Sequence, residues 1–214
     1  METVRQRLRE ALGVYVITGS RLSLGRDNVE VVQQAIAGGA RIVQLREKES
    51  SVRELVAMGQ AILEVCRRAG VLFLINDRVD VAQAIGADGV HIGQDDLPAV
   101  MARKILGPGK IIGVSVETAG EAKAAEDAGA DYVATGPIFP TRTKPDAGAS
   151  HGTGIIGRIK AATSLPVVAI GGINAENISQ VARAGADGAA VISAVVGQPD
   201  IAEAVRELSR RFSP

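Results

Sequence analysis

One phrase returns four times in this chain, and it limits the fold more than any other feature. GGARIVQL, GADGVHIG, GADYVATG and GADGAAVI each set a glycine and small residues ahead of an apolar run. A glycine in that place ends a helix in the left-handed region that other residues avoid. The residues behind it begin a strand. The phrases introduce the second, fourth, sixth and eighth of eight short apolar runs, at 14–18, 41–45, 71–75, 89–92, 111–114, 132–135, 166–170 and 188–192. Most runs are nearly continuous rather than alternating, the pattern of strands covered on both faces. Helical periodicity fills the intervals. The clearest case, SVRELVAMGQAILEVCRRAG, opens with Ser51 and Glu54 at capping-box spacing and closes on Gly70, and Thr118 with Glu121 repeats the start signal. Four βαβα units predict an α/β protein, a closed (β/α)8 TIM barrel. An open doubly wound sheet is the rival, but it needs no eightfold count. No linker or low-complexity stretch interrupts the pattern, so residues 1–214 are expected to form a single TIM-barrel domain.

Composition agrees. Apolar residues make up 46% and aromatics only 2%, so the core must be built from Val, Ile, Leu and Ala. Lys plus Arg balance Asp plus Glu at 24 each, which speaks against a nucleic-acid partner. The lone cysteine, Cys66, has apolar helical neighbours and is expected to be a buried hydrophobe; with no partner for a disulfide it fits a reducing, cytoplasmic setting. METVRQRLREALG reads as a charged amphipathic stretch rather than a targeting segment, and no apolar run approaches the roughly 18–20 residues that cross a membrane.

A barrel keeps its chemistry at the carboxyl ends of its strands. There the chain gathers Gln44, Arg46 and Lys48 (QLREK), Asn76 and Asp77 (LINDR), His91, Gln94, Asp95 and Asp96 (HIGQDD), Ser115, the loop GPIFPTRTKPDAG, Gly171–Gly172, and Ser193. The strand entries are plain. Arg46 and Lys48 could pair with Glu47 or Glu49, but Gln44 and Arg46 share the parity that enters the barrel mouth, where two cations call for an anion. Asn76–Asp77 could cap a helix, as could Asp95 or Asp96. His91, inside a strand, reads as a packed, hydrogen-bonded residue, and His151 in its glycine-rich loop has no evident partner. Asp77 and one of Asp95 or Asp96 lie on adjacent strands and suit Mg²⁺, which keeps waters and takes substrate phosphates to complete its shell; no Cys/His cluster suggests zinc. In AIGGINAEN two glycines should let the backbone approach a ligand, with Asn174 opening a helix whose N-terminus favours phosphate.

Together QLREK, NDRVDVA, GVHIGQDD, GPIFPTRTK and VVAIGGI resemble the thiamine phosphate synthase family, over nearly the whole chain from YVIT to VISAVV. The resemblance implies a transferase of thiamine biosynthesis that joins a hydroxymethylpyrimidine diphosphate to a thiazole phosphate and releases pyrophosphate. Gln44, Arg46, Lys48, Asn76, Ser115 and Lys144 would hold the pyrimidine diphosphate, with Arg46, Ser115 and Lys144 also stabilising the leaving group. Asp77 and Asp96 would hold Mg²⁺. Thr141, Thr143, Gly172, Ile192 and Ser193 would hold the thiazole phosphate. The partners implied are small-molecule substrates only, with oligomeric state left open. Two positions depart from the family pattern: Gly19 follows Thr18 where an acid is common, and Glu117 stands where many relatives have His or another residue. A thiazole tautomerase-like isomerase uses a histidine near that place and binds no diphosphate, so it is the weaker alternative. A non-catalytic barrel binding thiamine precursors would not need the full metal and leaving-group set. The loop at 136–148 is expected to be a lid, with Thr141 and Thr143 on one side of an extended segment and Arg142 turned to solvent.

Overall fold

The structure, a computed structural model, describes residues 4–143 and 148–212. The elements run α1 Val4–Ala11, β1 Val14–Ile17, a 3₁₀ turn Ser20–Leu22, α2 Asn28–Ala37, β2 Ile42–Leu45, α3 Val52–Ala69, β3 Leu72–Asn76, α4 Val79–Ile85, β4 Gly89–Ile92, α5 Ala99–Leu106, β5 Ile111–Val116, α6 Ala119–Asp127, β6 Tyr132–Thr135, α7 Gly154–Ala162, β7 Val167–Ile170, α8 Ile178–Arg183, β8 Gly188–Val191, α9 Ser193–Val196 and α10 Ile201–Phe212. The eight strands are all parallel and close on themselves in sequence order, β1 pairing with β8. This is the (β/α)8 barrel that the fourfold phrase predicts; the open sheet is excluded.

The phrase itself has a physical explanation. After α4, α6 and α8 the chain turns through Gly86, Gly129 and Gly185 at φ 74°, 86° and 89°. The next amide then returns to the helix: Ala87 N to Ala82 O (3.0 Å), Ala130 N to Ala125 O (3.0 Å) and Ala186 N to Val181 O (3.3 Å). That is a Schellman stop. The aspartate that follows accepts from the entry of the preceding strand, Asp88 from Phe73 N (3.0 Å), Asp131 from Ile112 N (2.9 Å) and Asp187 from Val167 N (2.7 Å). Each Gly-Ala-Asp therefore ends a helix and stitches two strands at the bottom of the barrel, so the strand entries are less plain than the sequence suggests.

Strand parity divides the core. Tyr15, Ile42, Leu72, Leu74, Ile111, Tyr132, Val168 and Ala190 point inward and fill the barrel, joined from below by Leu8 and Ala11 of α1. The alternate residues pack under the helices. With so few aromatics, the interior makes room for Tyr132 by placing Gly113 opposite it on β5; a Cβ there would lie 2.1 Å from the ring. Cys66 is buried among the outer core residues, as expected, and burial pushes its thiol up to about 12. Ser51 and Glu54 form the full capping box of α3, and Thr118 caps α6. Among the described residues no helix is long and apolar enough to cross a membrane.

Candidate active site

At the carboxyl ends of the strands opens a cavity of about 360 Å³. Its lining includes Gln44, Arg46, Lys48, Asn76, Asp77, Asp96, Ser115, Thr141, Thr143, Gly172, Ile192 and Ser193. These are all the candidates from the sequence except Lys144, which lies outside the described residues. A wider depression of about 670 Å³ sits on the opposite face. Its cations are already engaged: Arg5 and Arg103 hold Asp131, and Arg103 also donates to the carbonyls of Gly107, Lys110 and Gly129. The mouth, by contrast, keeps uncommitted donors.

Asp77 is in the left-handed region at φ 61°, a region rare outside glycine but tolerated by Asp, with its amide donating to His91 O at 2.7 Å. It does not cap α4, whose N-cap position is Arg78 with no side-chain bond. Lys48 Nζ lies 3.5 Å from its carboxylate. Burial, and then the neighbouring Asp96, raise the Asp77 carboxyl above the usual range, while Lys48 opposes the shift. The Asp77–Asp96 proximity separates Asp96 from Asp95. Asp96 also accepts from Gly93 N at 2.7 Å and does not cap α5. Two crowded carboxylates favour a cation between them. Among the described residues no group of three His, Cys, Asp or Glu could hold a metal. A two-carboxylate site leaves the rest of the shell to water and ligand oxygens, which fits magnesium rather than a caged ion.

Arg46 donates its backbone amide to Thr18 Oγ1 at 2.9 Å, and no carboxylate of the described residues pairs with its guanidinium. The local ion pairs considered from sequence do not form. Glu47 instead accepts from Ser20 and Asn28, and Glu49 pairs with Arg21.

The far side of the mouth departs from expectation in three ways. First, Gly171 and Gly172, at φ 98° and 65°, leave room for protein rather than for ligand alone. A Cβ on Gly171 would lie 2.6 Å from Pro137, and one on Gly172 2.5 Å from Pro140 O. Here the loop after β6 is tied down, Ile138 N to Ile170 O (2.9 Å) and Phe139 N to Gly171 O (3.0 Å), following a cis Gly136–Pro137 bond. Its return is tied as well, His151 N to Pro137 O and Gly152 N to Ile138 O. Second, Thr141 and Thr143 face the cavity through a bend, not an extended alternation. Thr143 N donates to Thr141 Oγ1 at 3.2 Å, and Thr143 Oγ1 donates to Ser193 Oγ at 3.2 Å. Arg142 is exposed, as expected. Third, Asn174 opens a turn rather than a helix. Its side chain accepts from Glu176 N, and α8 starts only at Ile178 and is six residues long. Contrary to the sequence expectation, no helix N-terminus opens at Asn174 to favour a phosphate.

Beneath the floor lie two groups that short-range patterns do not reveal, Tyr15 and Tyr132, joined to His91, Ser115 and Gln44. His91 Nε2 lies 3.0 Å from Ser115 Oγ and Nδ1 2.9 Å from Tyr132 Oη; Tyr132 Oη lies 3.2 Å from Tyr15 Oη, which accepts from Gln44 Nε2 at 2.7 Å. Burial pushes the His91 imidazole down to about 4, so it is neutral at pH 7 and packed, as expected. Ile17, Pro137 and Ile170 add an apolar wall, and Glu117 reaches the rim.

The fold and this mouth define a class: a (β/α)8-barrel protein that sets two crowded carboxylates, cations and hydroxyls around one cavity. The family model for thiamine monophosphate synthase matches residues 14–195. The chain is 53% identical to the thiamine-phosphate synthase of Moorella thermoacetica over 91% of its own length and 93% of that protein's. It is 48% identical to the enzyme of the same name from Methanospirillum hungatei, over 92% and 96%. A solved structure of thiamine phosphate pyrophosphorylase from Pyrococcus furiosus superposes with a TM-score of 0.88 at 43% identity, covering 96% of this chain and 97% of the other. The chain belongs to the thiamine monophosphate synthase family, and is thereby a transferase of thiamine biosynthesis.

Proposed function

We propose that the mouth condenses 4-amino-2-methyl-5-(diphosphooxymethyl)pyrimidine with a thiazole phosphate, or its carboxylated form, to give thiamine phosphate and pyrophosphate. The observation that carries this reading is the meeting of Asp77 and Asp96 in one cavity with Lys48 and with Arg46, whose guanidinium pairs with no carboxylate of the described residues. An isomerase acting on a thiazole phosphate alone has no use for that set.

The bond that breaks joins the pyrimidine methylene to the diphosphate oxygen, and the electron pair leaves with pyrophosphate. The electron-rich aminopyrimidine stabilises the resulting carbocation, and the thiazole nitrogen adds its lone pair to it, which favours a dissociative path. Arg46, Lys48 and the Ser115 hydroxyl bind the diphosphate and stabilise charge as it develops. Lys144, next in sequence to the cavity-lining Thr143, joins them in this assignment. Asp77 and Asp96 would hold Mg²⁺, which when bound neutralises the leaving diphosphate. Gln44 and Asn76 orient the pyrimidine. Thr141, Thr143, Gly172, Ile192 and Ser193 hold the thiazole phosphate, so that its nitrogen faces the methylene. No protein nucleophile or strong general base is needed, and neutral, buried His91 supplies neither. The purified chain with both substrates and Mg²⁺ should form thiamine phosphate, read by mass spectrometry; absence of product with every divalent metal tried would overturn the assignment.

A further inference from the structure

The floor of the cavity continues into the barrel as an unbroken file of hydrogen bonds: Ser115 Oγ, His91, Tyr132 Oη, Tyr15 Oη, Gln44 Nε2. Its two ends, Ser115 and Gln44, line the cavity about which the reaction is proposed. Its three middle members are buried. Both ring nitrogens of His91 and both phenols have partners within the file, and burial pushes the Tyr15 phenol up to about 12, with Tyr132 also raised. Each hydroxyl, and the neutral ring, has one proton to give along it. An unbroken file of such groups therefore has two self-consistent polarities. In one, Gln44 donates to Tyr15, Tyr15 to Tyr132, Tyr132 to His91 Nδ1, and His91 Nε2–H to Ser115, whose own proton is left for the cavity. In the other every bond is reversed, with the Gln44 amide flipped so that Oε1 accepts from Tyr15: Ser115 gives its proton to His91 Nε2 and presents only lone pairs.

We infer that the file runs in the first polarity, with Tyr15, Tyr132 and His91 as positioning residues that aim the Ser115 proton at the anionic leaving group. The inference rests on the proposed diphosphate site. A phosphate oxygen only accepts, so lone pairs on Ser115 would repel it beside Arg46 and Lys48, whereas an aimed hydroxyl proton makes a charge-assisted bond. The same polarity suits the other end. Gln44, donating inward through Nε2, keeps its carbonyl Oε1 for a donor on the ligand, such as the ring amino group. One ligand with an amine at one end and an anion at the other would lock both ends of the file in one sense.

The test uses the full chain with uniform ¹⁵N labelling and long-range ¹H–¹⁵N correlation spectra. The sequence has only two histidines, so a His151→Gln spectrum assigns the His91 signals. His91 should be a neutral Nε2–H tautomer, both alone and with Mg²⁺ and inorganic pyrophosphate; an Nδ1–H tautomer in the pyrophosphate complex overturns the inference. Tyr132→Phe keeps the ring that Gly113 accommodates and cuts the file in the middle. It should weaken pyrophosphate binding about tenfold and add nothing further in a Ser115→Ala background. Equal weakening in both backgrounds would mean that Tyr132 does not act through Ser115. Neither readout requires turnover, so failure of the relay and failure of the transferase reading are separately visible.

Discussion

His91 makes a quantitative claim about acid stability. Its ring is enclosed by Tyr132 on β6 and Ser115 on β5, and it is only 9% exposed. Burial lowers its proton affinity from 6.5 to about 4, with the Asp96 charge opposing the shift. At about 1.4 kcal/mol per pH unit, that difference is worth roughly 3 kcal/mol. The sign follows from where protons bind. Below 6.5 the unfolded chain takes up a proton on this residue that the folded chain refuses until about pH 4. The contribution is therefore complete above pH 6.5 and is lost progressively as pH falls toward 4. Against a total stability of about 5–15 kcal/mol, that is a large fraction. Urea unfolding at fixed ionic strength, run from pH 8 to pH 4 on the native chain and on His91→Gln, measures it. The variant removes the titrating group, so its stability should fall by about 3 kcal/mol less over this window. Parallel pH profiles for the two proteins would refute the argument, whatever their absolute stabilities.

Gly113→Ala should be strongly destabilising, by about 2 kcal/mol or more in chemical unfolding, since its Cβ would sit 2.1 Å from the Tyr132 ring inside a full barrel. A near-native midpoint would mean that the β5–β6 interior can relax. Asp77→Asn removes one of two crowded carboxylates, and the Mg²⁺ concentration for half-maximal activity should rise about tenfold or more; an unchanged titration would take Asp77 out of the metal site. Lys144→Ala should lower kcat about 100-fold while changing the KM for the thiazole phosphate little, and an unaffected kcat would remove Lys144 from the leaving-group role.

The barrel was legible because its signals are local. A glycine in the left-handed region followed by an apolar run is readable within eight residues, and it recurs four times. The mouth was legible because strand ends set it, so Gln44, Asp77 and Ser115 could be assigned to one rim from strand order alone. What escaped depends on contacts across the barrel. Tyr15 and Tyr132 are 117 residues apart, and neither looks polar in its strand, yet they link Gln44 to His91. Gly171 and Gly172 are glycines because the β6 loop packs against them, which no property of AIGGINAEN reveals. Asn174 and Thr141 turn through their own side chains, where competing Asx and hydroxyl bonds replace the helix and the extended segment that spacing suggests. Asp96 separates from Asp95 only once the loop after β4 is seen to bring it to Asp77.

In the proposed function one cavity binds a diphosphate leaving group and its acceptor together with a divalent cation. The most direct measurement is the rate of pyrophosphate release by the native chain in the presence of the pyrimidine diphosphate, with and without thiazole phosphate, before and after chelation. Release should depend on chelatable metal, be restored by added Mg²⁺, and be matched one for one by thiamine phosphate when the thiazole is present. Full activity in excess chelator, or a chain that converts the thiazole phosphate with no diphosphate substrate at all, would contradict the proposed function.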